Sequence, residues 1–272
     1  MGQMEDNYKV VNGEYVDLVN AKSYWDTAIG LQQVDNLTPS NKLYELVNEH
    51  LEGKKNYHDV ENDLHQYYAN SSENENINSD TKEADLVSVR IAQLLNDVNF
   101  RLTKNELQCI HAFLFKDIFP QGLEKYVGRF RDVNIRKEEE ILHGLSVSYS
   151  DFRRIDENLD YDLNRENLRT IYEKVDNILA LARFISNIWN THPFREGNMR
   201  TTAVYILKYL RQNRIMVDNS LFKDNSKYFR NALVLSSDNE LNLVDYQYLE
   251  AFLEKLLHSP EKALPEIDLN HH

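Results

Sequence analysis

Apolar residues recur at three- and four-residue intervals along most of this chain, the period of a helix with one buried stripe. Between Ala21 and Gln33 the stripe is Tyr24, Trp25, Ala28 and Leu31. Thr38-Pro39-Ser40 opens a second helix, since Pro suits a first turn and Thr or Ser a cap. Its inward face is Leu43, Leu46, Val47, His50 and Leu51, and Gly53 stops it. A third pattern, Val60, Leu64 and Tyr67, spans about Tyr57 to Tyr68. Further along, Ala84, Val87, Ile91, Leu94 and Leu95 predict a helix from Thr81 to Val98. Thr103 caps another, which carries Leu107, Ile110, Leu114 and Phe115 and ends before Pro120. Later helices are expected over Asp151–Asn158, Glu166–Trp189, Thr202–Arg211, about Lys223–Leu235 and Leu243–Leu257.

Two stretches break the helical period. Ser71 to Asp80 has almost no apolar content and reads as a linker. From Arg131 to Tyr149 apolar and polar residues partly alternate, as in Leu142-His143-Gly144-Leu145-Ser146-Val147-Ser148-Tyr149, which predicts a β-hairpin around the charged run Lys137 to Glu140. That run reads as a solvated turn. The expected organisation is a tail (1–20) with a short extended piece near Tyr8–Val16, a helical domain (21–70), the linker (71–80), a larger domain (81–258) and a second tail (259–272). At ~50 residues the first helical domain is small for an independent core.

Composition supports a mostly helical protein, with 8 Gly and 5 Pro among 272 residues. The net charge of −13 argues against a general nucleic-acid or anionic-membrane surface. No apolar run approaches the roughly 20 residues of a membrane span, and Met1–Asn7 is polar and acidic, unlike a signal peptide. The single cysteine, Cys109, forbids an internal disulfide, suits a reducing compartment and is expected to pack in its helix. The expected location is cytoplasmic. His271-His272 is set aside as a tag remnant, and the oligomeric state is open.

The chemistry gathers in His192-Pro193-Phe194-Arg195-Glu196-Gly197-Asn198-Met199-Arg200-Thr201, between two helical patterns. A loop running into a helix N-terminus presents free N–H groups and a positive dipole end, which favour a phosphate. Gly197 lets the backbone approach an anion, Asn198 can donate from its amide, and Arg200 adds a forked cation. The N–H groups of Asn198, Met199 and Arg200 are first-turn donors. Glu196 suits Mg²⁺, and His192 titrates near neutrality and can deprotonate an attacking hydroxyl. Phe194 anchors the loop. His192 and Glu196 lie four apart, but Pro193 and Gly197 argue against a helical zinc pair. His111, on an apolar helix face, is expected to be structural, and His143 exposed.

This stretch resembles the signature of the Fic (Fido) family, His-X-Phe-X-Asp/Glu-Gly-Asn-Gly-Arg-X-X-Arg, with matches at His192, Phe194, Glu196, Gly197, Asn198 and Arg200. Ile110-His111-Ala112-Phe113-Leu114-Phe115, Gly128-Arg129-Phe130-Arg131 with Val133-Asn134-Ile135, and Tyr228-Phe229 extend the resemblance over about Thr81 to Leu257. It implies a mostly α Fic-type bundle with a β-hairpin flap. The implied activity is transfer of AMP from ATP to a Ser, Thr or Tyr hydroxyl of a target protein bound along the flap, 132–149. The implied roles are general base for His192, Mg²⁺ ligand for Glu196, and anion hole for Gly197, Asn198, Met199 and Arg200. Tyr228 would lie near the nucleotide base.

The chain departs from the signature twice. Met199 replaces the last Gly, and a related branch with Lys there is a phosphotransferase. Ala203 stands where the second Arg would hold the γ-phosphate and pair with an inhibitory Glu. A Fic-type phosphotransferase and a non-catalytic nucleotide-binding module are therefore the alternatives. Residues 21–68 resemble the small antitoxins that restrain Fic toxins, whose motif is Ser/Thr-X-X-X-Glu-Gly/Asn. Here Leu31 and Asp35 replace Ser/Thr and Glu, while Asn36 fits. The implication is an antitoxin-like domain, a three-helix unit whose inhibitory candidates are Asp35 and Asn36, with its usual clamp weakened at both ends.

Overall fold

A computed structural model describes residues 8–71, 79–169, 177–215, 217 and 221–267. Most of the expected linker and His271-His272 lie outside these residues. The chain is mostly helical and divides into two compact units, residues 1–98 with 219–226, and residues 99–218 with 227–272.

The first unit opens with a hairpin, β1 (Tyr8–Val11) and β2 (Glu14–Asp17), in register Tyr8↔Asp17 to Val11↔Glu14. Asn12 and Gly13 form its turn with φ of 48° and 87°. An Asn-Gly pair adopts that conformation readily, and its turn matches the twist of the strands. The extended piece expected near Tyr8–Val16 is thus a two-stranded hairpin.

Asp17 then caps α1 (Leu18–Gln32), accepting from the Asn20 N–H at 3.2 Å. Ser40 caps α2 (Asn41–Leu51), and α3 (Tyr57–Ser71) and α4 (Ser79–Asn96) complete the helices. Helix α4, read from sequence as the start of the second domain, packs here against α1 and α3. Polar ties account for its placement. Buried Asp85 accepts from Ser40 N–H at 2.8 Å and from Tyr68 Oη at 2.6 Å, and Asn96 bonds the backbone of Asp17 and Tyr15. Trp25, His50 and Tyr57 cluster in the core, with Trp25 Nε1–H donating to His50 Nδ1 at 3.2 Å. Burial pushes the His50 imidazole down to about 4. A Cβ on Gly30 would stand 2.5 Å from the Lys223 backbone, so only glycine permits this approach of the 219–226 segment.

In the second unit, Thr103 caps α5 (Lys104–Phe115), accepting from Glu106 N–H at 3.2 Å. The unit continues with α6 (Ile155–Asn167), α7 (Ile178–Thr191), α8 (Asn198–Gln212), most of α9 (Leu221–Leu235) and α10 (Gln247–Leu257). Helix α8 is buried from Asn198 to Leu210, with α5 and α7 packed on it. Helix α9 is kinked at Asn225 (φ −129°, ψ 19°), close to where the chain passes from one unit to the other.

Three sequence expectations change. Helix α6 runs through Asn158, because Leu159, Asp162, Leu163 and Glu166 continue the buried face begun by Ile155 and no Gly or Pro interrupts it. Cys109 is exposed, not packed. The 131–149 segment forms no hairpin of regular strands. It makes two isolated antiparallel bridges, Glu138↔Ser146 around a tight turn at Glu140–Leu142, and Val147↔Asn239. The return limb pairs instead with the segment after α9. Ser148 N–H donates to Asp238 O at 2.8 Å, and Glu240 N–H to Ser146 O at 3.0 Å. Arg136 adds a two-point contact to Glu240.

Candidate active site

Helix α7 ends at His192 in the left-handed conformation (φ 46°, ψ 61°), with its N–H on Trp189 O at 2.9 Å. Pro193 cannot continue a helix. Four residues on, Gly197 (φ 74°) caps α8, so residues 192–197 form a short loop between two buried helices. A Cβ on Gly197 would sit 2.3 Å from the Phe115 ring, which excludes any side chain there.

The loop is fastened from within. The Asn198 carboxamide accepts from Phe194 N–H and donates to Phe194 O, both at 2.8 Å. Its oxygen and one of its two N–H donors thus close the loop. Phe194 is fully buried and stacked on His111 at 3.9 Å between ring centroids. His111 Nδ1 accepts from Gly128 N–H at 2.9 Å, so Nε2 carries the proton and donates to Glu196 O at 3.1 Å. Burial lowers the His111 imidazole to about 4, and the neutral tautomer bridges α5 to the loop. Arg200 is buried with its guanidinium 4.9 Å from the centre of the Phe115 ring. Met199 is also buried.

His192 is 4% exposed. Its Nδ1–H donates to Trp189 O at 3.3 Å, which leaves the lone pair on Nε2, and Nε2 has no partner among the described residues. Burial, then the charge of Lys137, holds the imidazole well below its ordinary value, so it is neutral at pH 7. Its ring lies 4.1 Å from that of Tyr149, whose hydroxyl donates to Glu139 at 3.5 Å.

Sequence reading missed the residues that hold this base. Arg131 is 2% exposed and donates to the carbonyls of His192 (2.8 Å), Val133 (2.7 Å), Thr191 (3.3 Å) and Ser150. Its own N–H meets Pro193 O at 2.8 Å. Glu139, read as part of a solvated turn, is 1% exposed and paired with Arg230 at 2.8 Å. Lys137, from the same run, meets Glu196 at 3.0 Å. A local pattern does not reveal a charge buried by partners 61 or 91 residues away.

The Glu196 side chain is 58% exposed, at the mouth of the site. Among the described residues no group of three His, Cys, Asp or Glu could hold a metal. One accessible carboxylate beside the N-terminus of α8 suits Mg²⁺, which takes one or two carboxylates together with substrate phosphates and water. Lys137 would have to release it.

The remaining sequence candidates are Tyr228, Asp35 and Asn36. Tyr228 is half-buried, with its ring near-parallel to Phe252 at 6.3 Å, while Phe229 packs on Phe252 at 4.7 Å. Asp35 and Asn36 belong to the first unit, exposed in the turn that follows α1.

A model of the Fic/DOC family matches residues 101–210, from just before α5 nearly to the end of α8. This segment is a Fic/DOC-family domain. The family membership supports transferase chemistry of the nucleotidyl-transfer type. No curated protein and no solved structure matches the chain. The matched segment contains the whole 192–200 loop with Arg131, Lys137 and Glu139 that surround it. Arg230 and Tyr228 lie beyond it. No described helix is long and apolar enough to cross a membrane.

Proposed function

We propose that the Fic domain transfers AMP from ATP to a Ser, Thr or Tyr hydroxyl of a protein. The observation that carries this reading is the state of His192, a neutral imidazole whose tautomer leaves Nε2 basic and unpartnered beside a helix N-terminus. The target hydroxyl gives its proton to Nε2 as its oxygen attacks the α-phosphorus. The bond from that phosphorus to the β-phosphate oxygen breaks, and pyrophosphate leaves. The N–H groups of Asn198, Met199 and Arg200 face the phosphate oxygens, with the positive end of α8 behind them. Glu196 would hold Mg²⁺, which when bound offsets charge on the phosphates. The outgoing limb, Asp132 to Lys137, supplies the edge for an extended target segment, since the return limb is paired with Asp238–Glu240. Tyr228 is the proposed neighbour of the nucleotide base.

Incubating the protein with ATP labelled at the α-phosphate should mark a protein, and His192→Ala should abolish the mark. Label from the γ-phosphate alone would select phosphate transfer, the reading motivated by Met199. ATP binding with no transfer from either position would select a non-catalytic module. The acidic clamp of the antitoxin-like first unit is proposed to be weakened or lost, because Asp35 is one methylene shorter than the Glu of the antitoxin motif. Asp35→Ala should therefore change the rate less than twofold, and a larger rise would restore the clamp.

A further inference from the structure

A tyrosine walls the base on one side. The Tyr149 ring lies 4.1 Å from the His192 ring at an interplanar angle of 34°, and Trp189 meets the same imidazole at 5.4 Å and 87°. We propose that Tyr149, seated by the buried Glu139–Arg230 pair, is a positioning residue for His192, and that its ring face receives the imidazolium formed when His192 takes the proton of the target hydroxyl. The inference rests on His192 acting as the base.

Tyr149 has little freedom to leave. Both of its chain neighbours are tied down. Ser148 N–H donates to Asp238 O at 2.8 Å, Ser150 N–H donates to Asn190 O at 3.4 Å, and the Ser150 carbonyl accepts from Arg131. The Tyr149 hydroxyl donates to Glu139 Oε1 at 3.5 Å. Glu139 is itself 1% exposed, and Arg230 Nη2 from α9 spans its two oxygens at 3.0 and 2.8 Å. The Glu139 main chain is equally fixed, with its N–H on Leu145 O and its carbonyl accepting from Leu142 and Gly144 N–H, each at 3.0 Å. Burying a carboxylate costs desolvation that an ion pair only roughly offsets, so stability alone explains this pair poorly. Holding a ring against the base explains it better. The bond that sets the His192 tautomer, Nδ1–H to Trp189 O at 3.3 Å, is long, and the aromatic contact restrains an imidazole that this bond alone would hold loosely.

The charges around the base give the same contact a second task. Lys137, Arg131 and Arg230 all disfavour a proton on His192. Proton transfer nonetheless places a full positive charge there, with Nδ1 and Nε2 both protonated. The π face of a tyrosine attracts a desolvated cation. Glu139 offsets Arg230 and lies within electrostatic reach of Lys137. Without that carboxylate, Arg230 would act on the imidazolium uncompensated.

The test reads the imidazole itself. In the full chain labelled with ¹⁵N-histidine, the His192 resonances, identified by their loss in His192→Ala, should show one tautomer, protonated at Nδ1 and unprotonated at Nε2. Tyr149→Leu should turn this into a mixture of tautomers and lower kcat at least tenfold, with KM for ATP changed less than twofold. Tyr149→Phe keeps the ring and should restore the single tautomer and most of kcat. Glu139→Gln keeps the shape of the side chain without its charge, and should lower kcat about tenfold with KM again steady. A single Nδ1–H tautomer in Tyr149→Leu would overturn the proposal. So would a rise in KM in place of the fall in kcat, or Tyr149→Phe behaving as Tyr149→Leu does. Should Tyr149→Leu fail to fold, Glu139→Gln decides, and an unchanged kcat there overturns the proposal. The tautomer is read without ATP or target, so a chain that transfers no AMP yet loses its single tautomer in Tyr149→Leu refutes the transfer reading and supports the positioning role.

Discussion

The loop at 192–198 and the segment at 131–149 face each other across the site and are built on opposite principles. The loop is held mainly by buried contacts, the Asn198 amide on Phe194, His111 on Glu196 O and the Phe115 ring under Gly197, together with the Arg131 guanidinium on His192 O. The flap segment adds ion pairs, Lys137 on Glu196, Arg136 on Glu240 and Glu139 on Arg230, to its main-chain bonds with Asp238 and Glu240 and to the buried side chains of Ile141, Leu142 and Val147. A site needs a base fixed to within a fraction of an ångström and a lid that lets substrate in. Neutral packing is insensitive to salt, whereas exposed ion pairs are weak and screened. The exposed Lys137–Glu196 pair is therefore expected to respond to ionic strength more than the buried contacts under His192 do.

The sharpest way to break the rigid half is Gly197→Ala. The new methyl meets the Phe115 ring and the backbone has φ 74°, so a loss of at least about 3 kcal/mol in denaturant unfolding is expected. Acid should act on the buried imidazoles, His111 beneath the loop and His50 in the core of the first unit. His50 and His111 are each lowered to about 4 by burial, below the ordinary 6.5. Their contribution is fully present above pH 6.5 and is lost as pH falls through 4, because the unfolded chain binds the extra protons. The scale is on the order of 3 kcal/mol per imidazole. A flat stability curve between pH 7 and 4 would contradict the neutral assignments.

Arg131→Met joins the two halves. It leaves carbonyls of His192, Val133, Ser150 and Thr191 without their donor and should cost about 2–3 kcal/mol. Transfer should fall at least tenfold, chiefly in kcat, since the base loses its position. Lys137→Met is the mildest. The pair it breaks is a third to more than half exposed, so stability should move by less than about 1 kcal/mol. The magnesium needed for half-maximal nucleotide binding should drop, because Glu196 no longer has to leave a lysine. An unchanged requirement would remove Lys137 from the lid.

How legible this arrangement was depends on the range of the contacts that create it. The helical periods placed most helices, and Thr103 and Ser40 act as the caps they resemble. The loop with His192, Glu196 and Gly197 was legible because one short stretch carries it. The bonds from the Asn198 amide to Phe194 were not, since only packing decides whether a side-chain amide turns back onto its own loop. Alternation over 142–149 suggested a hairpin, but alternation cannot say which strand is the partner, and here that is Asp238–Glu240. Asn12-Gly13 was a turn signal in plain view, overlooked because the flanking strands are only four residues long.

The passage of α9 between units has a consequence for the chain as a heritable object. Residues 219–226 return to the first unit after the Fic segment has been traversed, and Leu221 and Phe222 are buried, with the Phe222–Lys223 backbone lying at Gly30. The two units are therefore not beads that recombination could exchange at residue 98. A crossover there would strand an apolar half-turn in one descendant and leave an uncovered glycine in the other. Such a gene drifts as one piece, and changes at Gly30 and at Phe222 should be inherited together.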